Sequence, residues 1–100
     1  MNDPTNIQRT ISGTVSVSEY AVASEFGDGV SIMNLETGAY YRLQGVAWFV
    51  WRELATLPTF EDLCVAIQDV YRVSPEVGAR DLELLLRDLL RGGLITVQHP

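Results

Sequence analysis

The stretch Gly27-Asp28-Gly29-Val30-Ser31-Ile32-Met33-Asn34-Leu35-Glu36-Thr37-Gly38-Ala39-Tyr40-Tyr41-Arg42-Leu43 decides the fold. Its apolar residues recur with a period of two, interrupted twice by turn chemistry. Gly27-Asp28-Gly29 offers the positive φ that a tight hairpin turn needs. Val30 to Leu35 reads as a strand. Glu36-Thr37-Gly38 is a short hairpin loop, with Gly38 suited to the left-handed position of a bulged turn. Ala39-Tyr40-Tyr41-Arg42-Leu43 is a further strand, rich in residues that pack well on a pleated surface.

Toward the N-terminus the same period continues. Tyr20, Val22, Ser24 and Phe26 share one face of a strand that begins near Glu19, and Ala21, Ala23 and Glu25 share the other. The three strands form an antiparallel meander. Thr14-Val15-Ser16-Val17-Ser18 alternates and reads as a short strand or an extended lead-in. Residues 1–13 are polar and aperiodic and read as a flexible arm, leaving 14–98 as the folded domain.

Toward the C-terminus the period changes at Gln44-Gly45 from two to about 3.6. Val46, Val50, Leu54 and Leu57 fall on one stripe with Phe49 beside it, predicting a helix from Val46 to Ala55 and a connection closed by Pro58. Thr59 is an N-cap with Asp62 three residues on, close to a capping box. Phe60, Leu63, Cys64, Ile67, Val70 and Tyr71 form the stripe that a second helix would bury. Ser74-Pro75-Glu76 starts a third helix that runs to Arg91. Gly92 suits the left-handed position beyond it, with Arg87 and Arg91 near the negative helix pole. Leu94 to Val97 reads as a terminal strand. The fold class is therefore α+β: a three-stranded antiparallel sheet followed by three helices.

Composition narrows the function. One hundred residues, 47% hydrophobic, make one domain with a small core. The net charge is −6, all seven cations are arginine, and neither half of the chain carries a basic stripe. That argues against a nucleic-acid partner, which needs several cations on one face. The apolar run Val46 to Val50 is far shorter than the ~20 residues of a membrane span. The N-terminus lacks the basic start and apolar segment of a signal peptide, so a cytoplasmic location is expected. Cys64 is the single cysteine and His99 the single histidine. Neither a metal site nor a nucleophilic triad can be assembled from so few groups. With no phosphate-binding glycine loop either, no catalytic residue, metal or cofactor is expected, and the chain reads as a binding module rather than an enzyme.

Two places stand out. On a helical wheel of the third helix, Leu82, Leu85, Leu86, Leu89 and Leu90 share the core face, while Leu84 falls opposite with Val77, Asp81 and Asp88 nearby. The plain reading of Leu84 is a scattered surface residue. The other is an apolar and acidic stripe that meets a partner carrying Lys or Arg. In the third strand Tyr40 and Tyr41 point to opposite faces, so one packs inward and the other, flanked by Arg42, is left outside. Cross-strand pairing explains both tyrosines equally well. The alternative is an edge strand that accepts a peptide as an added strand. Of Trp48 and Trp51, one is expected in the core and one partly exposed. Cys64, on a buried stripe, reads as a packed thiol, and His99 as inert.

The segment from Tyr20 to Val97 resembles the PqqD-like family of recognition elements for ribosomally made, modified peptides. The resemblance rests on Asp28 to Asn34, Glu36 to Leu43, the helix with Trp51 and Leu54, Pro58 to Leu63, Tyr71 to Pro75, and the Leu-rich last helix ending Gly92-Gly93-Leu94-Ile95. Thr37 to Tyr41 together with Trp51 is most similar to the stand-alone members of lasso-peptide gene clusters. Family members often carry Asn after the Leu that ends the third strand, where this chain has Gln44. The resemblance implies a winged helix-turn-helix-like fold. It also implies that the leader segment of a precursor peptide adds a strand against Tyr40, Tyr41, Arg42 and Leu43 and lies against the last helix, where Asp81, Leu84, Leu85 and Asp88 are the candidates. The partners implied are that precursor, a leader peptidase and a cyclase. The open strand edge is also a place where a second copy could pair. Three rival readings are a winged-helix DNA-binding regulator, a structural adaptor subunit of a biosynthetic enzyme, and the pyrroloquinoline-quinone pathway proper, with the same fold and a different precursor.

Overall fold

The computed structural model describes residues 13–57 and 59–98. All but the last residue of the expected N-terminal arm, Pro58 and His99 lie outside the described residues. The elements run β1 (Thr14–Val17), β2 (Ala21–Phe26), β3 (Gly29–Asn34), β4 (Tyr40–Gln44), α1 (Val46–Glu53), α2 (Phe60–Tyr71), α3 (Pro75–Arg91) and β5 (Ile95–Gln98). β2, β3 and β4 form the expected antiparallel meander in that spatial order. β1 and β5 make a separate antiparallel pair in which Val15 faces Val97 and Val17 faces Ile95.

The core follows from which faces are apolar. Val30, Ile32 and Leu43 project from the inner face of the sheet. They meet Val50 and Leu54 of the α1 segment, Phe60, Leu63, Cys64 and Ile67 of α2, and Leu82, Leu86 and Leu89 of α3. Val15, Leu94 and Ile95 close the cluster where the chain ends pair. Local signals start the helices: the Thr59 hydroxyl accepts from the Asp62 amide (3.2 Å) and the Ser74 hydroxyl from the Val77 amide (3.2 Å). Gly38 takes φ 78° as the bulged turn requires.

β2 is exposed on both faces, and only Ala21 is half-buried. It is the outer strand of the sheet, and its small and polar residues offer little apolar area to draw it inward. Val70 and Tyr71 do not join the buried stripe of α2. They are exposed at its last turn, where Tyr71 meets Phe49 edge-on with ring centroids 5.6 Å apart. Both tryptophans are half-buried, and Arg52 stacks 4.9 Å from the Trp48 ring. α1 stops at Glu53, followed by turns through Thr56. The left-handed residue after α3 is Gly93 (φ 73°), not Gly92, which stays right-handed at φ −78°. The Gly93 and Leu94 amides bond back to the Leu90 and Leu89 carbonyls (3.0 and 2.9 Å), so α3 ends in a Schellman motif placed one residue later than the sequence suggested.

Glu83 was not anticipated in the core. It is only 2% exposed, and neither carboxylate oxygen has a hydrogen-bond partner among the described residues. Burial pushes its carboxyl above the ordinary range, and the Arg87 guanidinium, 3.7 Å away, opposes this. Because the folded value is raised, Glu83 favours the fold fully only below the ordinary carboxylate range, and that contribution is lost as pH rises through the folded value. Glu83→Gln should therefore raise the melting temperature at pH 7 by a few degrees, roughly 1 kcal/mol for a domain of this size. The gap from the native chain should close in melts taken towards pH 4. A variant that melts lower at pH 7, or by the same margin at every pH, would contradict this account of Glu83.

Candidate peptide-binding groove

β4 is bonded on one side only. The register pairs Ile32 with Tyr41 and Val30 with Leu43, and the Asn34 amide donates to the Ala39 carbonyl (2.9 Å). Main-chain groups alternate in direction along an antiparallel strand. Those of Tyr41 and Leu43 therefore face β3, and those of Tyr40, Arg42 and Gln44 face the open edge. No strand among the described residues pairs with that edge.

Beside the edge, α3 forms the second wall of a groove of about 380 Å³. Tyr41, Arg42 and Leu43 line the strand side, Leu85, Asp88 and Leu89 the helix side, and Arg91 with Gly92 the end. The groove is chiefly apolar, with one ion pair, Asp88 to Arg91 (3.6 Å), on its rim. Of the residues singled out in the sequence, Tyr41, Arg42, Leu43, Leu85 and Asp88 come together here. Tyr40, Asp81 and Leu84 do not line it. Tyr40 is 63% exposed on the outer face of the sheet, paired with Met33. Leu84 is 55% exposed, about 100° around the helix from Leu85. Asp81, about one helical turn before Leu85, is exposed beside Arg80 (4.0 Å).

Arg42 borders the groove, yet its guanidinium runs across the outer face. It donates to Asp28 (3.3 Å), the Phe26 carbonyl (3.3 Å) and the Ser31 hydroxyl (3.4 Å), and its centre lies 4.5 Å from the centroid of the Phe26 ring. The Gln44 amide donates to the same Asp28 oxygen (3.0 Å). These bonds, that from Gln44 foremost, hold the Asp28 carboxyl below its usual range. Arg42 and Gln44 thus tie the β2–β3 turn to β4.

Sequence reasoning passed over Leu89, Arg91 and Gly92. Leu89 was assigned to the core, and it serves both as core and as groove floor. It also passed over Asn34, read as an ordinary strand residue. The Asn34 side-chain oxygen accepts from the amides of Glu36 (2.8 Å) and Thr37 (3.4 Å), and its nitrogen donates to the Gly92 carbonyl (2.9 Å). The spacing Asn34-x-x-Thr37-Gly38 could have suggested the first pair, since Asn initiates turns this way. Its partner at Gly92 carries no local signal.

A second recess of about 410 Å³ lies between α2 and α3 around Phe60, Cys64, Pro75 and Ala79. Both of its walls are helices, so it offers a peptide no strand edge to pair with. Burial pushes the Cys64 thiol up to about 11, with the Glu61 charge adding to the shift, which leaves it protonated and a poor nucleophile at neutral pH. Among the described residues no cluster of three or more His, Cys, Asp or Glu could hold a metal ion. No helix among the described residues is long and apolar enough to cross a membrane. The thiol makes one prediction: in the folded chain Cys64 should react with a thiol reagent at pH 8 at least tenfold more slowly than in urea. Equal rates would show that the helix pair does not shield it.

Comparison with known proteins places this geometry. The family model for coenzyme PQQ synthesis protein D (PqqD) matches residues 29–95, spanning β3 through the first residue of β5. Among solved structures, the chain is similar to TbiB1 in complex with the TbiA(beta) leader peptide: TM-score 0.78, 28% identity, 85% of this chain and 99% of that one. It also shares its fold with a lasso peptide synthetase B1 complexed with the leader peptide, at TM-score 0.76 and 17% identity over 84% of this chain and 99% of the other. A search of curated proteins gives no match. The family match covers well over half of the chain, and the chain belongs to the PqqD family.

Proposed function

We propose that this protein binds the leader segment of a ribosomally synthesised precursor, a lasso-peptide precursor by analogy with its structural neighbours, as a strand added to the free edge of β4. The open edge running beside an apolar groove is the observation that carries this reading. Strand addition supplies main-chain hydrogen bonds, and the groove supplies anchors for alternate side chains. Ordering a flexible leader costs entropy, so one or two apolar side chains seated between Leu43, Leu85 and Leu89 have to offset it. TbiB1, 28% identical over nearly its whole length, was solved with a leader peptide, which supports the same occupant here.

On this reading the protein is a binding partner and not a catalyst. It presents the bound precursor in the cytoplasm to a leader peptidase and then to a cyclase. Pairing of two copies through β4 would compete with the leader for the same edge. The arginines speak against the DNA-binding alternative. Arg42, Arg80, Arg87 and Arg91 each lie within 4.0 Å of a carboxylate, so their charge is already answered.

The test is a titration of the full chain with a fluorescent synthetic leader peptide of a lasso-peptide precursor, such as the TbiA(beta) leader. Saturable binding should weaken about tenfold in Leu85→Ala, which loses roughly 1.5 kcal/mol of apolar contact. It should stay within about twofold in Leu84→Asp, whose side chain stands outside the groove. Circular dichroism would establish that both variants are folded. Absence of leader binding at tens of micromolar, with a biosynthetic enzyme still captured, would favour the adaptor reading. Greater sensitivity at Leu84 than at Leu85 would move the site off the groove.

A further inference from the structure

The β3–β4 hairpin is fastened to the end of α3 by one buried side chain. Asn34 is 2% exposed. Its oxygen organises the turn that leads into β4, through the Glu36 and Thr37 amides, and its nitrogen takes the Gly92 carbonyl. That carbonyl belongs to the end of the helix, where main-chain oxygens have no partner further along it. The two glycines let the parts meet this closely. A Cβ on Gly92 would collide with the Tyr41 hydroxyl, and one on Gly93 would stand 2.6 Å from the Asn34 side-chain nitrogen.

Resting on the reading that the groove takes a peptide strand, we propose that Asn34 is a positioning residue. Seated in the Gly92-Gly93 corner, its amide sets the distance between the β4 edge and α3, and thereby peptide affinity, without touching the peptide. An added strand has two requirements at once: hydrogen bonds to Tyr40 and Arg42, and side chains packed against Leu85 and Leu89. Hydrogen bonds and van der Waals contacts both weaken over a few tenths of an ångström. A groove whose walls are free to drift satisfies one requirement at the expense of the other. The corner where Asn34 meets Gly92 is also the end of the groove, so the tether acts where the walls meet.

Asn34→Asp tests this, because it keeps the acceptor for Glu36 and Thr37 and replaces the donor to Gly92 with a carboxylate oxygen that repels that carbonyl. Gly92→Ala is the second variant. Its right-handed backbone tolerates alanine, while the added methyl wedges the helix end from Tyr41. Ile67→Val, in the α2 core, serves as a control for stability loss alone. All are titrated as full chains with the fluorescent leader described above, alongside thermal melts. Both groove variants should bind about tenfold more weakly than the native chain, chiefly through faster dissociation. Ile67→Val, whatever its melting temperature, should bind within about twofold. Native affinity in folded Asn34→Asp or folded Gly92→Ala would overturn the proposal and leave the peptide reading intact. So would an affinity loss that simply tracks melting temperature across all three variants. A native chain that binds no leader would bring down the peptide reading and this proposal with it.

Discussion

A side-chain amide shielded from water has to find partners for both its oxygen and its nitrogen, and Asn34 finds them in two distant parts of the chain. Its oxygen bonds two amides of its own turn, and its nitrogen bonds a carbonyl 58 residues away. The contact joins the meander to the last helix. Around it the molecule has two halves that could each form locally: a hairpin-built sheet from Ala21 to Gln44, and helices capped by Thr59 and Ser74. The apolar core brings the halves together, but hydrophobic burial is not directional. A buried amide bonded through both its oxygen and its nitrogen at the Gly92-Gly93 corner adds the direction and the distance.

The consequence appears at β4. A strand at the end of a sheet leaves every second residue with unpaired main-chain groups, and folded proteins blunt or cover such edges. β2, the opposite edge, is blunted by Ser24 and Glu25 and by solvent on both faces. β4 has no such protection. It carries two tyrosines and a leucine, and α3 rises beside it to form a groove rather than a cover. Its one long cation, Arg42, is turned away to hold Asp28 and the Phe26 ring. The edge left open is the one with an apolar wall next to it, which is the arrangement that strand addition requires.

Much of the fold was legible because its signals are local. The N-caps, the left-handed Gly38, the heptad-like spacing in α3 and the period of two through β3 and β4 each act within a few residues. The exposure of Leu84 and the division of Tyr40 and Tyr41 between opposite faces follow from the same periodicities, though not which tyrosine turns inward. What escaped depends on tertiary partners. Pairing of β1 with β5 joins the two ends of the described chain. Glu83 falls beside the leucine face on a wheel, yet its burial depends on what packs against α3. The alternation in β2 divides its residues between two faces, and that both are exposed follows from its position at the outside of the sheet. Leu84 drew attention as an apolar residue on a polar face, whereas the groove is lined by the edge of the core face, by Leu85, which the family resemblance named, and by Leu89, where a wheel sees only packing.

The most direct test of strand addition is amide hydrogen exchange of the full chain, residue by residue, with and without saturating leader peptide. The account predicts slower exchange at Tyr40 and Arg42, whose amides face the open edge, and little change at Tyr41 and Leu43, already bonded to β3. Unchanged exchange at Tyr40 and Arg42, with protection instead around Phe60, Cys64 and Ala79, would mean that the peptide lies between the helices and adds no strand to β4.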